Sequence, residues 1–182
     1  MRRVVTLPKG ANAVDFAEQA KRQGADLIEV RDDLTPDLSV KLTLPVLLSR
    51  RGGRPLELEA QYHDEELPLP SRGEGRGEGA ERRITSHHAK APLSPEEALK
   101  LWENHSTRGF IKHVEPLGDP ASAGRLFETQ RKLAKRFGID RVTVLATGDC
   151  ALPFRAVLAQ KNAFDYLALD SQTASAAGQR LL

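Results

Sequence analysis

Short apolar, β-branched runs alternate with stretches of helical period along almost the whole chain, and this alternation limits the folds open to it. Strand signals fall at residues 4–7, 26–31, 45–49, 83–88, 109–114, 141–147 and 164–170, with a weaker one at 56–60. Helical patterns fall at 13–23, 96–105, 120–137 and 153–160. Asn12 or Ala13 stands near the start of the first helix and Gly24 just past its end. Ser94, Pro95 and Glu97 form a capping box with proline at the first helical position. Strands separated by helices pair in parallel through crossovers, and eight strand candidates predict a closed (β/α)8 TIM-type barrel.

The first half departs from that ideal. Residues 33–45 leave room for a short helix at most, and 49–56 for none. The chain has 182 residues, against roughly 250 for a typical barrel of this kind. It stops too soon after the eighth strand for a full final helix. Some outer helices are therefore expected to be shortened or missing. Residues 71–83 carry Arg72-Gly73-Glu74-Gly75 and then Arg76-Gly77-Glu78-Gly79. That tandem run has no apolar surface to bury, and the expectation is a mobile loop inside a single domain spanning 1–182. An RNA-binding reading of its Arg-Gly pairs is weakened by the Glu beside each Arg and by the lack of interleaved aromatics.

Charge and cysteine content narrow the partners. The chain carries 27 basic and 25 acidic residues, too balanced for nucleic acid or an anionic membrane as the main partner. A small anionic molecule needs only two or three placed cations. The single cysteine, Cys150, excludes an intramolecular disulfide and suits a reducing cytoplasm; an inert thiol is expected there. The apolar run before Pro8 is too short for a signal peptide, and no stretch reaches the ~18 apolar residues of a membrane span.

The informative residues sit at predicted strand ends. Glu29, Arg31 and Asp33 are two apart and share a face of the second strand. Three charges on one strand face either meet a polar ligand or form a salt-bridged surface cluster. Ser86 and His88 share a face of the fifth strand and His87 lies on the other. Parity favours His88 as a proton shuttle, a one-residue shift would select His87, and a His-His metal site lacks an obvious third ligand. Lys112 is flanked by apolar residues. Facing inward, it would lose solvation and become a neutral nucleophilic amine; facing outward, it would snorkel to solvent. Arg155, after the seventh strand, is a candidate anion anchor, because its fork binds a carboxylate at two points. Residues 174–179, Ala-Ser-Ala-Ala-Gly-Gln, suit a tight loop over a ligand.

In this order, these pieces resemble the type I 3-dehydroquinate dehydratases. Glu29-x-Arg31-x-Asp33, Arg51 after Pro45-Val46-Leu47-Leu48, Ser86-x-His88, Lys112, Arg155 and the Ser175-to-Gln179 loop each match a family motif, and together they span the chain. The resemblance implies dehydration of 3-dehydroquinate to 3-dehydroshikimate, in the shikimate route to aromatic amino acids, with no metal or organic cofactor. Lys112 would form a Schiff base and His88 would move the protons. Arg155 would hold the substrate carboxylate, and Glu29, Arg31 and Arg51 the ring hydroxyls. Ser175 and Gln179 would close over the ligand.

Three departures stand out. The loop after the third strand lacks the Glu that supports the histidine in that family; Glu57 or Glu59 is the candidate substitute. Ala89-Lys90 follow the histidine where an acidic or amide residue and an aromatic are usual. The terminal helix is missing. Bare outer strand faces would then be covered in a homodimer or other oligomer. Two other readings remain at this level: a weak or inactive relative that binds a small carboxylate or acts as a scaffold, and another Schiff-base barrel such as an aldolase.

Overall fold

The computed structural model describes residues 1–54, 56–67, 82–105 and 108–182. The repetitive segment from 71 lies outside them up to residue 81. Nine strands form one sheet: β1 (Arg2–Thr6), β2 (Leu27–Arg31), β3 (Val46–Arg50), β4 (Tyr62–Glu66), β5 (Arg83–His88), β6 (Phe110–Pro116), β7 (Val142–Thr147), β8 (Phe164–Ala168) and β9 (Arg180–Leu181). Their order is β7-β6-β5-β4-β3-β2-β1-β8-β9, and every pairing is parallel. Four helices lie among them: α1 (Ala13–Gln23), α2 (Pro95–Asn104), α3 (Ala123–Phe137) and α4 (Leu152–Ala159).

The helices form where caps and apolar faces coincide. Asn12 accepts from the backbone N–H groups of Val14 and Asp15, and Gly24 ends α1 at φ 95°. Ala13, Phe16, Ala17 and Ala20 recur at helical spacing and are buried. The Ser94–Glu97 capping box opens α2. The third helical pattern splits into a 3-10 turn at Pro120–Ser122, capped by Asp119, followed by α3.

The sheet curls around one interior. Val4, Leu27, Leu47, Tyr62, Ile84, Val114, Leu145, Phe164 and Tyr166 belong to one buried cluster, with Phe110 against it, and come from all of the first eight strands. At the N-terminal strand ends the interior is aromatic, and the Arg2 guanidinium caps Tyr62, Phe110 and Phe164 at 5.4, 5.6 and 5.4 Å. Between β7 and β8 the ladder gives way to single contacts. The Ala163 N–H donates to the Val142 carbonyl (2.8 Å), and the Phe164 N–H to Thr143 Oγ1 (3.0 Å). The Asn162 amide takes the place of a strand backbone, accepting from the Val144 N–H (2.9 Å) and donating to its carbonyl (3.0 Å). Nearer the C-terminal strand ends, β9 pairs with Leu167 and Ala168 instead.

Two sequence expectations change here. The fourth strand is Tyr62–Glu66, not 56–60. Its Tyr-His-Asp-Glu-Glu run conceals a strand because three of its five residues are charged, two of them, Asp64 and Glu66, on the interior face. Extended segments, not helices, cover the outer faces of β2 and β3. Leu44 and Leu56 are buried against Ile28, Val30, Val46 and Leu48, with Leu38, Leu42 and Leu58 packed beside them. The outer faces of β2 and β3 are thus covered by the chain itself, so no second copy is needed to cover them. Large exposed apolar side chains occur elsewhere, including Leu152 and Val157 on α4 and Leu181 on β9. No helix among the described residues is long and apolar enough to cross a membrane.

Candidate active site

Strand register builds a polar layer above the aromatic one. Parallel pairing sets Thr6 beside Glu29, Ser49 beside Asp64 and Ser86 beside Lys112. Alternation then turns all six side chains to the interior. Lys112 is 4% exposed, so the inward reading of its strand holds. Its surroundings differ from the apolar setting expected of it. Nζ lies 2.9 Å from Asp64 Oδ2 and 3.7 Å from Glu29 Oε1, and 3.9 Å from the centre of the Tyr166 ring. Two carboxylates and a ring face surround the nitrogen.

Glu29 is bonded on both oxygens, and Asp64 on Oδ2 alone. Glu29 accepts from Thr6 Oγ1 and Ser49 Oγ, both at 2.6 Å. Burial pushes its carboxyl up, but Lys112 and the two hydroxyls outweigh that and hold it below the ordinary value. Asp64 is 0% exposed and takes the Arg51 guanidinium at 2.8 Å as well as Lys112. Burial again pushes up, and the two cations pull its carboxyl down further. Tyr166 is driven well above its usual range by burial, then by Asp64 and Glu29.

Arg51 spans the layer. Its guanidinium donates to Asp64, to Ser86 Oγ (3.1 Å) and to Glu66 (3.3 Å). Its backbone N–H donates to Asp32 Oδ1 at 2.7 Å. Gly53 makes this approach possible: a Cβ there would stand 2.3 Å from the Asp32 backbone. Glu66 binds His88 on its other oxygen, with Nδ1 to Oε1 at 2.9 Å. A carboxylate only accepts, so this contact suits a ring that carries its proton on Nδ1. His88 stands at the rim, with its side chain 37% exposed. His87 faces away and stacks on His113 at 5.7 Å. Opposite faces exclude a metal held jointly by His87 and His88.

Arg155 reaches this interior from α4, outside the sheet, at the seam between β7 and β8. It is 3% exposed and donates to the Tyr166 carbonyl at 2.8 Å, while Nε has no protein partner. Burial pushes its guanidinium down, against the pull of Asp165. The C-terminal loop folds over the end of β1, where Ser175 Oγ lies 3.4 Å from Thr6 Oγ1. Ser175 and Gln179 bond each other, N to Oε1 at 2.7 Å. Gly178, at φ 73°, sits where a Cβ would meet the Gly148 carbonyl at 2.6 Å.

Between these groups is a cavity of about 190 Å³. Glu29, Arg31, Arg51, His88, Lys112, Arg155, Ser175 and Gln179 line it. Asp33, Ser86 and His87, also singled out from the sequence, do not. Arg31 is the least free of the lining residues, bound at two points by Asp33 (3.0 and 2.7 Å). Asp64 and Glu66 were missed because the fourth strand was misplaced. Their two-residue spacing from Tyr62 was the signal that would have found them. Glu57 and Glu59 are exposed and line a separate outer groove, so neither supports the histidine.

A curled parallel α/β sheet with a buried lysine among carboxylates, at the C-terminal strand ends, defines the class of fold and site. Two solved structures that share the fold are 3-dehydroquinate dehydratases. The 3-dehydroquinate dehydratase of Aquifex aeolicus VF5 superposes with a TM-score of 0.71 over 100% of this chain and 94% of that one, at 19% identity. A type I 3-dehydroquinate dehydratase of Clostridium difficile, solved with covalently modified comenic acid, gives 0.66 over 99% of this chain and 87% of that one, at 15% identity. At such identity the likeness establishes the fold. No family model and no curated protein matches the sequence.

Proposed function

We propose that the protein dehydrates 3-dehydroquinate to 3-dehydroshikimate through a Schiff base on Lys112. The observation that carries this reading is the convergence of Lys112, His88 and Arg155 on one small cavity. Lys112 first gives up a proton, and Asp64 Oδ2 at 2.9 Å is the nearest acceptor. The amine adds to the ring ketone, whose oxygen leaves as water. The resulting iminium draws electrons from the neighbouring carbon, so that its proton becomes acidic. His88 Nε2 takes that proton, and the enamine expels the hydroxyl one carbon further on as His88 returns a proton to it. Water then cleaves the iminium, releasing product and regenerating Lys112. Arg155, with an unpartnered Nε, is suited to the substrate carboxylate, beside Ser175 and Gln179. Glu29, Arg31 and Arg51 face the ring hydroxyls.

Borohydride reduction in the presence of 3-dehydroquinate, followed by peptide mass analysis, tests this. The expected outcome is one adduct, on Lys112, with dehydroshikimate formed when borohydride is omitted. In Lys112→Ala both adduct and turnover should disappear. An adduct on another lysine, or turnover by the variant at the wild-type rate, would overturn the reading.

A further inference from the structure

After β3, Arg51 runs directly into Gly52 and Gly53, and Glu57 and Glu59 lie on the outer groove, yet His88 is not left without a carboxylate. Glu66, the last residue of β4, faces the interior and bonds His88 Nδ1 at 2.9 Å. Its second oxygen is held by Arg51 at 3.3 Å, and Arg51 is itself tied to Asp64 and Ser86. An acceptor carried on a strand and held through its other oxygen by a largely buried cation sets the orientation of the ring it binds. We propose that Glu66 is the positioning residue for His88: it selects the Nδ1–H tautomer, leaves Nε2 as the base, and supplies the negative charge that lets the ring accept a proton. The inference rests on the dehydratase reading for its kinetic part only.

The charge is needed because His88 stands among cations. Burial lowers the basicity of the imidazole, Lys112 on β6 and Arg51 after β3 lower it further, and Glu66 opposes all three. Arg31, Arg155 and Glu29 line the same cavity. Remove the Glu66 charge and the imidazolium faces Lys112 and Arg51 with its one bonded counter-charge gone. The ring then titrates at lower pH and becomes a weaker base.

Histidine nitrogen NMR on the unliganded, full-length protein reads this directly. In the wild type, His88 should show the pattern of an Nδ1–H ring. Glu66→Gln should lower its titration midpoint by on the order of one unit and mix the tautomers, while Glu66→Asp restores the midpoint in part. With 3-dehydroquinate, Glu66→Gln should lower kcat on the order of 10- to 100-fold, with KM little changed and the acid limb of the pH profile displaced downward. Glu59→Gln, on the outer groove, should alter none of these. Dispersed amide spectra of the variants separate a loss of fold from a loss of positioning. An unchanged midpoint and tautomer in Glu66→Gln would overturn the proposal. If the wild type fails to dehydrate 3-dehydroquinate, the substrate reading falls, and the NMR titration still decides the pairing.

Discussion

Asp64 meets two cations with one oxygen, while Oδ1 has no protein partner. Its substitution therefore leaves two buried cations short of a counter-charge rather than one bond missing. Asp64→Asn is expected to lose on the order of 3–5 kcal/mol of stability in urea unfolding, the usual result of breaking a buried pair from one side. Arg155 works differently. It is anchored through one nitrogen to the Tyr166 carbonyl, lines the cavity, and its Nε has no protein partner. Arg155→Lys preserves the charge but not the fork. If Arg155 clamps the substrate carboxylate, KM for 3-dehydroquinate should rise roughly 10- to 100-fold, the value of one lost charge-assisted bond, with the Lys112 adduct still trappable. An unchanged KM would remove Arg155 from the binding role.

At the scale of elements, the seam between β7 and β8 is the weak point of the curl and the reason the site can form. A complete ladder there would occupy the Tyr166 carbonyl and shut out the α4 arginine. Asn162 spans the gap, and Gln130 on α3 holds it in turn at 2.6 Å. Asn162→Ala would strip buried partners from both backbone groups of Val144 and from the Gln130 amide, at about 1–3 kcal/mol for each unsatisfied group. Destabilisation on the order of 3 kcal/mol is expected. Faster amide exchange at Val144 than in β6 would assign it to the seam; uniform exchange would not. The loop over the cavity depends on Gly178 in the same local sense. Its positive φ and the Gly148 carbonyl leave no space for a side chain.

Across the whole molecule, the interior is graded from aromatic at one end to charged at the other, and the charged end responds to acid. Glu29 and Asp64 both sit below their ordinary values of 4.5 and 3.8. A depressed carboxyl contributes stability above its unfolded value and loses it as pH falls toward its folded one. These two carboxyls should therefore add a decline in stability below pH 4.5, beyond the loss below about pH 6.5 contributed by His63, His87 and His88, whose imidazoles are held below their ordinary value, and Asp64→Asn should flatten the part below pH 4.5. A wild type with equal stability at pH 3 and pH 7 would contradict the pairing. Much of this organisation is legible in the residues alone. Period and caps locate α1 and α2 almost to the residue, and the two-residue spacing of Glu29 and Arg31, and of Ser86 and His88, assigns their faces, because strand alternation is a local property of the backbone. The chemistry of Lys112 is not legible in that way, since neighbours 48 residues away, such as Asp64, decide whether burial meets oil or anions. Nor is β4, whose charged face looks like a loop until β3, β5 and β6 supply partners for it. Sequence by itself determined which side chains turn inward; only the closing of strands around them decided that Glu66, not a loop glutamate, meets the histidine, because charge pairing depends on distance in space and not on position along the chain.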